Sequence, residues 1–124
     1  MSQASWRVRL TLPADNRYLH IVRLTASGAA AEAGLDAAEV EDLKIAVDEL
    51  CSVAIAGAET GCELDLDFSV GTDGLVVEAT VPAQQEPTLD ELAQAILDAT
   101  VDSVGFDHAS YGGGFKATKM HRGQ

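Results

Sequence analysis

Two adjacent acids, Asp48 and Glu49, are the residues of this sequence best placed to do chemistry. They lie in the run Lys44-Ile45-Ala46-Val47-Asp48-Glu49-Leu50-Cys51-Ser52-Val53-Ala54, where Val40, Leu43, Val47, Leu50 and Ala54 recur at three- and four-residue steps. That spacing predicts a helix with one buried stripe. Glu49 then stands beside the stripe, one turn from Val53, because positions four apart share a flank. A carboxylate partly withdrawn from water can serve as general base to a hydroxyl. The same pattern describes a solvated acid on an amphipathic helix, and spacing alone leaves both readings open.

Other reactive groups make weaker cases. Glu63, Asp65 and Asp67 alternate along one strand pattern, and three carboxylates on one face could hold a cation. They lack the enclosing loop that a calcium site uses, so the solvated face of a sheet is expected there. Cys51 and Cys62 have neither a disulfide framework nor metal-ligand spacing, and both are expected to be reduced. Nothing basic near Cys51 would lower its thiol pKa. His20, His108 and His121 are scattered, and no metal site is expected. Gly112 to Gly114 could pass for a phosphate loop, but such a loop runs from a strand into a helix N-terminus. This run lies between two strand patterns, so a hairpin turn is expected.

The elements that must position these groups follow from the rest of the chain. Its 124 residues, 47% hydrophobic and 23% charged, suit one folded domain over 1–124 with a core of Leu, Val, Ile and Ala. No apolar run approaches the ~20 residues that span a bilayer, and no signal-peptide pattern opens the chain, so a cytoplasmic protein is expected. The formal net charge of −12 argues against nucleic-acid binding and favours a basic partner.

Residues 5–12 alternate Trp6, Val8, Leu10 and Leu12 with Arg7, Arg9 and Thr11, a half-buried strand that Pro13 ends. Asp15 is an expected N-cap for a helix over 16–33, with Leu19, Val22 and Ala26 inward and Gly34 as its stop. Its opposite face carries Arg17, His20 and Arg23, a small basic strip on an acidic protein. Asp36 and Glu39 form a capping box that opens the second helix, which is expected to reach Ala56. Strands over 62–70 and 75–81 flank an Asp73-Gly74 turn. Thr88 to Glu91 reads as a second capping box, opening a third helix, and strands over 102–109 and 115–120 close the chain around Tyr111 to Gly114. The order implies an α+β fold, a two-layer sandwich with helices on one face of a mixed, mainly antiparallel sheet.

The run LKIAVDELCSVAI, entered from LDAAEVED, resembles the second helix of the anti-sigma-factor serine kinases. These are small bacterial regulators of the GHKL (histidine-kinase-type) ATPase superfamily, in which this helix reads approximately K-x-A-V-x-E-x-x-x-N-A. The resemblance implies that Glu49 matches the catalytic base, while Val53 stands at the position of the magnesium-binding Asn. Valine has no oxygen for a hard cation. The family's D-x-G-x-G motif, whose Asp binds the adenine amino group, aligns with Val81-Pro82-Ala83-Gln84-Gln85, which has neither the Asp nor the glycines. Pro82 to Pro87 is short where the family has its ATP lid, and no G-x-G-L-x-L run precedes the third helix. The closing strand, Gly-rich turn and strand match again. Kinases of this family use an Arg on the first helix to contact protein partners. Arg23 falls at that position, with Arg17 and His20 as neighbours.

These departures imply a pseudokinase: an anti-sigma factor that sequesters a sigma factor by partner switching in a stress response. It would be displaced by an anti-anti-sigma factor, bind little or no ATP and need no cofactor, with Glu49 a vestigial base. The alternative from the same resemblance is an active serine-protein kinase that phosphorylates the anti-anti-sigma factor with Mg-ATP through Glu49. A homodimer formed through the sheet is also implied, with no nucleic-acid or membrane partner.

Overall fold

The computed structural model describes residues 6–70, 74–82, 89–106 and 113–120. Strand β1 (Arg7–Pro13) leads through a 3-10 turn (Asn16–Tyr18) into helix α1 (Leu19–Glu32), then α2 (Ala37–Ala56). A pair of strands, β2 (Glu63–Val70) and β3 (Gly74–Val81), precedes α3 (Glu91–Thr100), and β4 (Ser103–Phe106) and β5 (Gly113–Met120) follow. The five strands form one sheet in the order β1-β2-β3-β5-β4, and each of the four pairings is antiparallel. The helices cover one face, giving the two-layer α+β sandwich that the pattern of elements implies.

Period-two alternation sets the sheet in register. Leu64, Leu66 and Phe68 of β2 and Leu75, Val77, Ala79 and Val81 of β3 point into the helix layer and are buried. The opposite face is polar: Arg9, Asp67, Glu78 and Lys116 stand abreast on four neighbouring strands. Arg7 and Arg9 share Asp67, at 2.7 and 3.4 Å. Glu63 and Asp65 are exposed on this face as expected, whereas Asp67 is half-buried beneath the two arginines, and no cluster of three metal-ligating side chains occurs among the described residues.

Helix α2 is the centre of the helix layer, packed on α1 along one side and α3 along the other, over β3 and β5. Its stripe of Leu43, Ala46, Val47, Leu50, Cys51 and Ala54 is enclosed by this packing. Alanines let α1 lie close: Ala26, Ala29 and Ala30 are all buried.

Several local expectations change. Asp15 caps only the 3-10 turn, accepting from the Arg17 backbone N–H, and the α-helix proper starts at Leu19. Pro13 is the last residue of β1, not the residue after it, which an edge strand tolerates because Pro lacks only a donor. The first half of β1 is more open than its alternation suggests, since Val8 remains 39% exposed. The N-cap of α3 is Asp90, whose side chain accepts from Ala93, so the capping box expected at Thr88 does not start this helix. Gly113 and Gly114 are strand residues opposite Val81 and Thr80. A Cβ on Gly114 would collide with the carbonyl oxygen of Ala79, so glycine is needed there for close strand approach. Residues 71–73, the link 83–88, the segment 107–112 with His108, and the tail 121–124 with His121 lie outside the described residues.

Candidate active site on the second helix

Five acids project from α2, and the structure treats them differently. Glu39 completes the capping box: Asp36 accepts from the Glu39 N–H at 2.8 Å, and Glu39 accepts from the Asp36 N–H at 2.8 Å. Glu41 pairs with Lys44 at 3.2 Å. Asp42 reaches Lys119 of β5 at 3.3 Å, and Lys119 is 4% exposed, its stem lying under the helix. Asp48 accepts from Arg23 of α1 at 2.5 Å. Glu49 alone has no hydrogen-bond or ion-pair partner among the described residues, although it is half-buried.

An unpaired carboxylate that is half-covered by protein keeps its acceptor capacity for something outside the fold. Ser52 and Val53, one turn further on, are half-buried on the same flank. The end of β3 is brought to this end of α2 by the turn between α2 and β2. There the Glu59 N–H donates to the Pro82 carbonyl at 3.0 Å, and the Cys62 thiol approaches the same oxygen at 3.8 Å. Val81, the residue before that proline, is 1% exposed and belongs to the core. The two positions at which the resemblance puts nucleotide ligands thus lie at one end of the molecule, but Val81 faces inward.

The basic strip expected on α1 does not form as one surface. Arg17 is in the 3-10 turn, its guanidinium 5.7 Å above the Tyr18 ring. His20 Nδ1 donates to the Arg17 carbonyl at 3.0 Å, and both side chains are exposed. Arg23 instead turns toward α2 and sits in the seam beside Asp48, the neighbour of Glu49. Sequence reading singled out Arg23 and Glu49 but missed the pairing of Arg23 with Asp48. Asp42 and Lys119 were missed as well. Both pairs link residues far apart in the chain, and no local pattern marks them.

Cys51 is not a hidden nucleophile. Burial, with the charge of Asp48 adding to it, pushes its thiol up to about 12.

The sheet covered on one face by helices, with Glu49 unpaired on the central helix among the described residues, is an architecture that many functions share, and comparison with known proteins gives its class. Residues 12–113 match the histidine kinase-like ATPase domain. The chain is 36% identical over 117 residues to the serine-protein kinase RsbW of Bacillus velezensis, covering 91% of this chain and 71% of that protein. It is 37% identical over 115 residues to RsbW of Bacillus licheniformis, covering 84% and 69%. A shorter match to RsbW of Bacillus subtilis is 40% identical over 73 residues, spanning 46% of that protein. The crystal structure of the RsbU and RsbW domains of a Mycobacterium tuberculosis protein superposes with a TM-score of 0.65 over 94% of this chain and 32% of that one. At 20% identity that likeness shows the fold alone. The chain belongs to the histidine kinase-like ATPase domain family and, within it, to the RsbW serine-protein kinases.

This corrects the expectation of a pseudokinase with little or no use for ATP. That reading rested on Val53, Val81, the short glycine-free link Pro82 to Pro87 and the missing G-x-G-L-x-L run, whereas relatives matched over most of the chain are named serine-protein kinases. The physical weakness of the argument from Val53 is that magnesium at phosphoryl-transfer sites is held largely by phosphate oxygens and water. Loss of one side-chain oxygen does not by itself remove the cation.

Proposed function

We propose that this chain is an active serine-protein kinase of the partner-switching type. The observation that carries the reading is Glu49: it is the one acid of α2 with no partner among the described residues, and it stands at the family's catalytic-base position. The partners in these systems are a sigma factor, which the kinase holds, and an anti-anti-sigma factor, which is the substrate. We place the protein in the cytoplasm as a homodimer of single domains spanning 1–124. In keeping with that, no helix among the described residues is long and apolar enough to cross a membrane.

Magnesium-bound ATP supplies the phosphoryl group and the cation that spreads its charge. The residues present fit the metal in part. Ser52, three positions after Glu49 on α2, would be the side-chain oxygen nearest in sequence to hold it, and a phosphate-held magnesium needs one or two protein oxygens. No side chain at Val81 can read adenine, so that edge depends on backbone groups. Glu49 would accept the proton of the antagonist's serine hydroxyl as that oxygen bonds to the γ-phosphorus and the bond to the bridging oxygen breaks, ADP being the leaving group. Arg23 would orient the protein substrate or the sigma factor at the α1–α2 seam, with exposed Arg17 and His20 as separate contacts before it in the chain.

The test is phosphoryl transfer from Mg-ATP to the purified anti-anti-sigma protein, followed by intact mass. Serine phosphorylation by the wild-type chain, absent with Glu49→Gln, supports the reading. Equal transfer by both proteins would remove Glu49 from the reaction, and no transfer by either would reject the kinase.

A further inference from the structure

We propose that the free edge of β1 and the groove beside it form a docking site for an extended, acidic segment of a partner protein, which joins the sheet as a sixth strand. Three observations carry this. First, β1 is at the end of the sheet, so its outer row of backbone N–H and C=O groups has no strand partner among the described residues. Second, the helix layer does not close over the start of that strand. Helix α1 packs on α2 and reaches β2, leaving a groove of about 480 Å³ between Trp6, Arg7 and Val8 of the strand and Gly28, Ala29 and Glu32 of the helix. The floor is open over Gly28, where a Cβ would meet nothing within 4 Å. Third, against the chain's net charge of −12, which favours basic partners elsewhere on the surface, the exposed charges on this strand are positive. Arg7 and Arg9 have side chains 62% and 77% exposed, while their shared partner Asp67 is 15% exposed.

These features match strand addition, in which main-chain hydrogen bonds supply affinity and alternate side chains supply specificity. Side chains of an added strand alternate between the two faces. One set lies beside Arg7 and Arg9 on the polar face, which calls for Asp or Glu. The other set lies over the groove, where an apolar side chain fills the space above Gly28. A second copy of this chain paired antiparallel about Val8 would set Arg7 opposite Arg9 twice, and like charges directly opposite destabilise a ladder, so an acidic segment suits that register better. The site is remote in sequence from Glu49 and independent of the kinase reading.

The experiment uses the 15N-labelled full chain and two capped heptapeptides, Glu-Val-Asp-Leu-Glu-Val-Asp and its counterpart with lysine at every acidic position. Expected are amide shifts concentrated in residues 6–13 and 25–32 with the acidic peptide, and binding at least about tenfold weaker with the lysine peptide. Gly28→Leu fills the groove on an exposed helix face and replaces a poor helix former, so it folds at least as well as wild type. It should weaken binding at least about tenfold, whereas Gly28→Ala, which shares the helix gain but adds only a methyl, should bind within about twofold of wild type. Arg7→Ser with Arg9→Ser should weaken binding about three- to tenfold. Absence of shifts at millimolar peptide, shifts centred elsewhere, equal binding of the lysine peptide, or unchanged binding by Gly28→Leu would each overturn the proposal.

Discussion

The two halves of α2 are built on different principles. From Asp36 to Lys44 every acid is engaged in holding the structure, through a reciprocal cap, a pair along the helix, and a tie to Lys119 on the sheet. From Asp48 to Ala56 the helix holds on by its apolar stripe alone, apart from the Arg23 pair in the seam, and Glu49 is left over. The first half anchors the helix and the second presents it. A helix fixed at one end by polar ties and along its length by packing can carry an unused carboxylate without losing its place, and that is what a general base requires.

The most severe test of this contrast is Glu49→Gln. If the second half is for chemistry, phosphoryl transfer should fall by about 10²–10⁴-fold, the range for loss of a general base. The melting temperature should stay within a degree or two, since no partner within the described residues is lost. The first half should behave the opposite way. Asp42→Ala strands the enclosed ammonium of Lys119 and is expected to cost about 1–3 kcal/mol in urea unfolding, below the full cost for a buried pair because Asp42 is partly in water. Lys119→Met keeps the packed stem and removes the charge, and should cost under about 1 kcal/mol. Removal of the cap by Asp36→Ala should cost about 1 kcal/mol with activity retained.

The smallest effect is at the seam. Arg23 and Asp48 are both substantially exposed, and a double-mutant cycle on stability should return only about 0.2–1 kcal/mol of coupling. If Arg23 is a partner contact, Arg23→Ala should instead weaken sigma-factor affinity by more than about 1 kcal/mol, measured by titration calorimetry. Coupling to Asp48 with no loss of affinity would make Arg23 a structural residue and move the seam to the anchoring half.

What could be read from the sequence divides along the same line. The capping box, the apolar stripe of α2 and the alternation of β2 and β3 are local patterns, and they form as read. Asp42–Lys119 and Arg23–Asp48 bridge 77 and 25 residues, and only the assembled sheet and helix layer brings them together. Gly113 and Gly114 look like a turn by composition, yet they are strand residues because β3 passes too close for any side chain at position 114. The position of Glu49 was legible by its resemblance to the family helix, but its lack of a partner was not. Val53, Val81 and the missing glycine motifs invite a conclusion about activity from local departures, and similarity over 117 residues to a named serine-protein kinase outweighs them.

The two cysteines give the molecule an internal clock. Cys51 is wholly enclosed at the middle of α2, while Cys62 is half-exposed after it. A thiol reagent should therefore label Cys62 in the folded protein and Cys51 only when the helix layer opens, so the ratio of the two rates reports the opening equilibrium without denaturant. The ordinary thiol value is 9.0 and the enclosed one about 12. Between those values the unfolded chain releases a proton that the folded chain keeps, so stability falls as pH rises through that window. Alkaline titration should make the clock run faster for two reasons at once: more frequent opening, and a more reactive thiolate each time it opens.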